Sequence, residues 1–464
     1  MGKVAVIDIG STSIRASALT GSLEVVETLS LPFNLVRASS ASATFDPNEV
    51  AATARLLLDR LAARHRLESL AITNQRASAV AFDPVAKVAG ATGLSWEDLR
   101  TAPQCLALAR SGLILAPSES ATKFAWLKAR GSGGRAVFGT LDAWLTCYLT
   151  EEHTVVTDTT NAAMTGLLRP EGGYDPVALE VLGLEDGDLA PICPNLYPRG
   201  TVRMPRGEAP LLVTIADQQA SLQGQLGPFK LTLGTSGVAE VELLDPVPRY
   251  PRRGPNGTFP VVTLAGASGP SFGLEAFWIS AGSSLAWLEQ LGVITTPEEA
   301  STLASGADRS KVPLVVPAFA GIGTPYWDFG ARTVISGIAG GFSRHELAYG
   351  LLEGIAQAGA LLIDALAADA GVTCDRFSLD GKAGHNPLVS RLLASLTGRQ
   401  VLLSPTAEAT TLGAGRIALS LPKEALPEAS VIEPEEDLTE RRRAWRESLA
   451  SARNAIPALS AVRF

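Results

Sequence analysis

The chain has 464 residues, 39 Lys and Arg against 47 Asp and Glu, and a formal charge of −8. That balance excludes a broad electrostatic surface for nucleic acid and leaves room only for local anion sites. Hydrophobic residues at 46% and charged residues at 19% exclude a disordered or fibrous chain, and the length predicts two or three domains.

The first predicted element is a strand over Lys3–Asp8, closed by the turn Gly10-Ser11-Thr12-Ser13 and followed at once by an extended run, Ile14–Leu19. The apolar stretch before Asp8 is too short for a signal peptide, and Val6 stands where myristoylation needs Ser or Thr. Pro47-Asn48-Glu49-Val50 opens a helix through Leu61, Ser69–Thr73 reads as a strand, and Lys123–Ala129 as a short helix. Leu211–Ile215 is an apolar strand ending just before Asp217, with a helix-like run, Gln218–Gln223, behind it. Strand, turn and strand then recur as Lys230–Leu233, Gly234-Thr235-Ser236-Gly237 and Val238–Leu243, offset by 224 residues when Gly10 is matched to Gly234. Pro246–Gly257 reads as an exposed loop, Leu314–Pro317 as a strand, and Arg344–Ala367 as a long helix rich in Ala and Leu. The charged stretch Glu435–Arg446 reads as a solvated C-terminal helix. Strands alternating with helices predict the α/β class, and the repeated hairpins predict two related domains, 1–226 and 227–424, with a charged tail at 425–464. No run of about 18 apolar residues without charge is present, so no membrane span and a cytoplasmic location are expected.

Chemistry concentrates at few places. Asp8 at a strand end, followed by Gly10 and the hydroxyls of Ser11, Thr12 and Ser13, suits a phosphate and its Mg²⁺, with Arg15 near enough to pair with phosphate charge. A plain hairpin is the alternative. Gly234-Thr235-Ser236-Gly237 is a second turn of this kind, and a triphosphate held between two domains needs both. Asp217, at the rim of a sheet, reads either as a catalytic base or as the N-cap of the helix after it. Gly131-Ser132-Gly133-Gly134-Arg135-Ala136 fits G-x-G-x-x-A but in the reverse of the dinucleotide context, and no P-loop is present. His65, His153, His345 and His385 accompany no nucleophile elbow and read as surface or structural residues. Cys105, Cys147, Cys193 and Cys374 form no C-x-x-C pair and no zinc spacing, and read as reduced, packed thiols.

Taken in order, the motifs resemble the FGGY carbohydrate kinases, above all the glycerol-phosphorylating branch, over roughly residues 3 to 420. The first turn is joined by Thr73-Asn74-Gln75-Arg76, Ser95-Trp96-Glu97-Asp98-Leu99-Arg100-Thr101, Thr140–Leu145, Thr157–Ala162 and Ala216-Asp217-Gln218-Gln219-Ala220. The second half adds Gly234-Thr235, Ala281-Gly282, Pro317–Phe319 with Pro325–Asp328, Asp380-Gly381 with Asn386, and Thr410–Ala414. The resemblance implies two actin-like, ribonuclease-H-like domains with the active site in the cleft between them. It implies transfer from Mg·ATP to a sugar or polyol, with Asp217 as base, Arg76, Trp96, Asp217 and Gln218 toward the acceptor, and Asp8 and Asp217 toward Mg²⁺. Ser11, Thr12, Ser13, Arg15, Thr235, Gly282, Gly381 and Asn386 fall on the nucleotide side, and a homodimer is an assembly it allows.

Departures from the pattern point away from glycerol. Ala77 stands where the glycerol-binding Glu follows N-Q-R, Ser118 falls at the pocket Tyr, and Val238 at the pocket Phe. On the nucleotide side Lys382-Ala383-Gly384-His385 replaces a glycine-rich run and Ala286 replaces a Gln. These changes keep a second reading in view, a catalytically decayed sugar-binding or regulatory protein, which the intact Asp8, Asp217 and Gln218 oppose. An actin- or chaperone-like ATPase has no use for the N-Q-R and W-E-D-L-R-T motifs.

Overall fold

A computed structural model of the chain describes residues 3–131, 135–405 and 408–462. Its frame is two sheets of one construction. In the first, β1 (Lys3–Ile9) has the antiparallel β2 (Ser13–Leu19) and β3 (Val25–Pro32) on one side. On its other side lies the parallel β4 (Leu67–Asn74), with the edge strand β5 (Thr201–Met204) beyond the parallel β6 (Gly207–Ala216). In the second, β7 (Phe229–Leu233) takes the place of β1 and pairs with the antiparallel β8 (Gly237–Asp245). The edge strand β9 (Phe259–Gly266) lies outside β10 (Gly269–Trp278), which pairs with β8. The parallel β11 (Arg376–Asp380) and β12 (Gln400–Leu403) and the antiparallel β13 (Ser430–Ile432) complete it. Both expected hairpins form, Ile9 pairing with Ile14 and Leu233 with Gly237. In each tip the glycine N–H donates to a serine carbonyl, Gly10 to Ser13 at 2.9 Å and Gly234 to Ser236 at 3.0 Å.

Alternation along the central strands sets the layers. Ala5, Ile7 and Ile9 pack with Val50, Leu57, Leu58 and Leu61 of α1 (Pro47–Ala62), a helix capped by Asp46. On β7 the residues that take this role, Phe229, Leu231 and Leu233, lie in the cluster of the second half's long helix, which spans Arg344–Ala370. The other face of the first sheet, Val4, Val6, Leu19, Val213 and Ile215, is covered by Leu412 and Ile417 of a helix spanning Ala409–Ala418, although that helix follows β12. Conversely α2 (Asp217–Gln223) follows β6 and is tied to the second sheet. Gln219 and Gln223 donate to Glu240 and Glu242 of β8 at 2.6 and 2.7 Å, and Ser221 to Asp380 at 3.0 Å. We label the long helix α3 (Arg344–Ala370) and the crossing one α4 (Ala409–Ala418). Helices α2 and α4 touch backbone to backbone: a Cβ on Gly413 would lie 1.8 Å from the Ala220 carbonyl oxygen, and one on Gly224 1.9 Å from that of Ala409. Each half therefore lends a helix to the other.

The C-terminal stretch corrects its sequence reading. The helix is α5 (Thr439–Ala452), and it is docked, with Trp445, Leu449 and Ala452 buried in the second half's core and Trp445 Nε1 donating to the Val315 carbonyl at 2.8 Å. Three of its arginines are paired inward, Arg441 with Glu353, and Arg442 and Arg446 with Asp364, while Arg443 stays exposed beside Glu440. A charge run reads as a solvated face only when its partners are unseen. The Pro246–Gly257 loop is largely exposed, yet its end is fastened by Asp369, which accepts from Asn256 and Thr258. Ser132, Gly133 and Gly134 of the rejected dinucleotide motif lie outside the described residues. The four cysteines are unpaired and buried. Among the described residues one helix, α3, is long and apolar enough to cross a membrane, and 78% of its most apolar stretch is buried inside the protein.

Candidate active site

Strands β4 and β6 are parallel neighbours that end together, Asn74 beside Ala216, so Gln75-Arg76 and Asp217 leave the sheet side by side. Asp8 on β1 pairs with Thr73 one strand away. The strand ends are fixed by a buried polar network built from two of the sequence motifs. Asp142 accepts from Thr140 at 2.5 Å, from Thr157 at 2.9 Å and from the Asp158 N–H at 2.9 Å. Asp158 in turn accepts from the Thr160 and Asn161 side chains, Asn161 exchanges hydrogen bonds with Asn74, and the Ala216 N–H donates to Thr160 Oγ1 at 2.9 Å. These residues support the site and do not face a ligand. Asp98 and Arg100 of the W-E-D-L-R-T motif pair with each other at 2.7 Å and are likewise structural, while Trp96 stays partly exposed.

Asp217 is not the N-cap of α2. That position belongs to Ala216, and Asp217 accepts the N–H of Gln218 at 2.8 Å. Arg76 Nε lies 3.6 Å from Asp217 Oδ1, at ion-pair distance. The rest of the Arg76 guanidinium is forked onto Glu275 of β10, with Nη1 and Nη2 donating at 2.6 and 2.9 Å. Burial pushes the Asp217 carboxyl up, and Arg76, the Gln218 N–H and Lys230 pull it back. Lys230 of β7 donates to the Gln218 carbonyl and to its Oε1, both at 2.9 Å, and pairs with Glu240 at 2.7 Å, both of these charged side chains being wholly buried. The side-chain oxygen of Gln218 is thus engaged within the protein.

On the nucleotide side, burial pushes the Asp8 carboxyl up to about 7; Arg15 lowers it, and Asp217 and Glu408 raise it. Arg15 is drawn to Glu408, with Nη1 donating at 3.1 and 3.2 Å, while its Nε donates to Ser13 Oγ at 3.2 Å. Two segments converge on the second turn: the Gly282 N–H donates to the Gly234 carbonyl at 2.9 Å, those of Ala281 and Ser283 to the Thr235 carbonyl at 3.1 Å, and that of Ala383 to the Leu233 carbonyl at 2.9 Å. A Cβ on Gly282 would lie 2.5 Å from the Gly234 oxygen, and one on Gly381 2.4 Å from that of Leu233, so only glycine permits this approach. Thr235, Ser283 and Lys382 are left exposed there, a set of hydroxyls and one ammonium that fits phosphate oxygens. Asn386 is the N-cap of the helix Pro387–Thr397, its Oδ1 accepting from Leu388 and Val389. His385 is structural, its ring bonded to the Gly381 and Ser404 carbonyls. Among the described residues no cluster of three metal-ligating side chains forms. Asp8 and Asp217 still fit Mg²⁺: they are hard oxygen donors, and Asp8 is crowded by negative charge that a cation would offset.

The positions expected on the acceptor side carry the departures. Ala77 is buried at φ 57, in the left-handed region, and its carbonyl accepts from Lys123 Nζ at 3.2 Å. The same ammonium donates to the Ser118 carbonyl at 2.9 Å. Ala77 and Ser118, the two positions expected in the pocket, are therefore joined by one wholly buried lysine, whose pKa burial lowers to about 7. From the second half Arg252 donates to the Ile114 carbonyl at 2.7 Å, close to this segment. A cavity of about 630 Å³ opens elsewhere, lined by residues such as Asp364, Thr397, Glu436 and Arg442 and by none of the site residues.

Sequence reasoning missed Lys230, Glu240, Glu275, Lys123 and Glu408. The hairpin itself held a signal for two of them: closing Leu233 on Gly237 sets Lys230 opposite Glu240. Glu275 is brought in by a pairing that no local pattern announces.

Residues 4–205 match the N-terminal domain of the FGGY family of carbohydrate kinases, and residues 229–420 its C-terminal domain. The glycerol kinase of Shewanella amazonensis is 30% identical over 441 residues, 89% of this chain and 88% of that one. The glycerol kinase of Trichlorobacter lovleyi is 32% identical over 377 residues, 76% and 75% of the two chains. Among solved structures, Plasmodium falciparum glycerol kinase with ADP is similar at a TM-score of 0.86 and 22% identity, covering 100% of this chain and 99% of that one. Xylulose kinase from Lactobacillus acidophilus is similar at 0.85 and 18% identity, with 99% of each chain covered.

Proposed function

We propose, for a chain that belongs to the FGGY family of carbohydrate kinases, ATP-dependent phosphotransferases with an alcohol group as acceptor, that its own acceptor is a sugar or polyol other than glycerol. The observation that carries this reading is Ala77, where no carboxylate follows Arg76 and the backbone is instead tied to Ser118 through Lys123. A pocket built to bond one hydroxyl rejects its analogues strongly, so deleting that carboxylate changes the substrate more than it changes the affinity. Ser118 and Val238, both smaller than the residues of the glycerol pattern, widen the space for a longer acceptor.

In this reading Asp217 accepts the proton of the attacking hydroxyl, Arg76 and Trp96 orient the acceptor, and Lys230 fixes Gln218 and with it the start of α2. Mg²⁺, when bound at Asp8 and Asp217, neutralises charge on the phosphates. Ser11, Thr12, Ser13 and Thr235 position the phosphates, and the paired halves exclude water. Nothing in these residues indicates decay of the machinery.

An ADP-release assay over glycerol, tetritols, pentitols, ketoses and aldonates tests the proposal. A ketose, a longer polyol or an aldonate should be turned over best; glycerol as the clearly preferred acceptor would overturn it. Asp217→Asn should cut transfer by about 10³-fold or more while ATP binding by calorimetry stays unchanged. Near wild-type ADP release in that variant would remove Asp217 from the role of base.

A further inference from the structure

One rung of the second sheet is charged across three neighbouring strands. Lys230 on β7 stands opposite Glu240 on β8, and Glu240 opposite Glu275 on β10. All three are buried in the middle of strands whose other residues are largely apolar. Each charge is directed at the first half. Lys230 holds the carbonyl and side chain of Gln218, Glu240 accepts from Gln219 at 2.6 Å, and Glu275 receives the fork of Arg76. A buried carboxylate is costly without a partner, and Glu275, 2% exposed at its side chain, finds its guanidinium across the molecule.

The fork fixes more than charge. With Nη1 and Nη2 of Arg76 committed to Glu275, the plane of the guanidinium is set, and that plane brings Nε to Asp217. Met164 Sδ, 3.8 Å from Nη1, is the other side-chain contact of this group. Without Glu275 the arginine would regain the rotational freedom of a long side chain.

We propose that Glu275 is a positioning residue: supplied by the second half, it holds Arg76 of the first half against Asp217, so that the arrangement of the acceptor side depends on how the two sheets are docked. This rests on the kinase reading above. The Lys230–Glu240 pair beside it acts on Gln218 and α2 in the same sense.

The test compares Glu275→Gln with Glu353→Gln in the full-length chain. Glu353 receives an equally good fork, both bonds from Arg441 at 2.7 Å, but far from the site residues, in the second half's own core. The assay is ADP release with the best acceptor from the panel of glycerol, tetritols, pentitols, ketoses and aldonates. We expect Glu275→Gln to lower kcat/KM for the acceptor about 100-fold with KM for ATP within about twofold, and Glu353→Gln to leave both unchanged whatever it does to Tm. Arg76→Lys should show a similar loss, and the double variant should be no worse than Arg76→Lys alone, since one interaction is removed twice. Should Glu275→Gln fold poorly, Glu275→Asp, which keeps the charge but shortens the reach, should fall between it and the wild type. Wild-type turnover in Glu275→Gln, or additive losses in the double variant, would overturn the inference while leaving the kinase reading intact. A wild-type chain that turns over no acceptor of that whole panel would remove the reading of Asp217 as base and this inference with it.

Discussion

The inner faces of the two sheets share a topology and are filled in opposite ways. At the register of Val6 the first sheet presents Ser17, Val6 and Ala71 on adjacent strands, with the exposed Thr28 at its edge. At the matching register of Lys230 the second presents Glu275, Glu240, Lys230 and Ser378. The first face is sealed under Leu412 and Ile417 of α4; the second grips α2 and Arg76 by ions and hydrogen bonds. Apolar burial resists separation but is indifferent to small rotations, whereas a forked ion pair fixes direction. One face thus holds the halves together, and the other sets where the groups around Asp217 point.

The largest effect expected from breaking this contrast is at Lys230. Lys230→Met leaves Glu240 buried with no cation and should cost about 3–5 kcal/mol by chemical denaturation. An unchanged midpoint would show that the charged face bears no part of the docking.

Asp8 comes next, and its sign is opposite. Its folded value of about 7 lies above the ordinary 3.8, so the folded chain holds that proton more firmly than the unfolded one. Stability should therefore fall as pH rises from about 4 to about 7, by at most roughly 4 kcal/mol. In EDTA at pH 8, Asp8→Asn should melt above the wild type, and near pH 3.5 the two should coincide. A variant that melts lower at pH 8 would show that the carboxylate is satisfied without a cation.

The apolar face should answer with stability alone. Leu412→Ala should cost roughly 2–4 kcal/mol and leave kcat/KM within about twofold, as measured by denaturation and by ADP release. A large kinetic change there would mean that both faces orient the site. The smallest effect belongs to Lys123, which Met replaces at similar volume. We expect the acceptor KM to rise about tenfold with Tm within about 2 °C, because the links to Ala77 and Ser118 are lost while the unpaired buried charge is relieved. An unchanged KM would detach Lys123 from the acceptor pocket.

The hairpins, the two-half architecture and the residues around Asp217 were legible because each rests on local chemistry: a glycine tip, a carboxylate at a strand end, a motif of fixed spacing. What escaped was pairing at a distance. Neither the cap that Asn386 gives a helix nor the pairing of Arg15 with Glu408, a partner 393 residues away, can be read from local sequence. The charged run at Glu435–Arg446 carries no sign that Glu353 and Asp364 await it on α3. Likewise the D-A-W-L and T-T-N motifs spell out a buried scaffold, because polar side chains that satisfy one another look like polar side chains that await a ligand.

The exchange of helices between the halves has a consequence for synthesis. Val4, Val6 and Leu19 leave the ribosome about 400 residues ahead of Leu412 and Ile417, which cover them. For most of that interval the first sheet carries a bare apolar face, one that sticks readily to other nascent chains. The first half therefore cannot bury that face until the segment carrying Leu412 and Ile417 has been made.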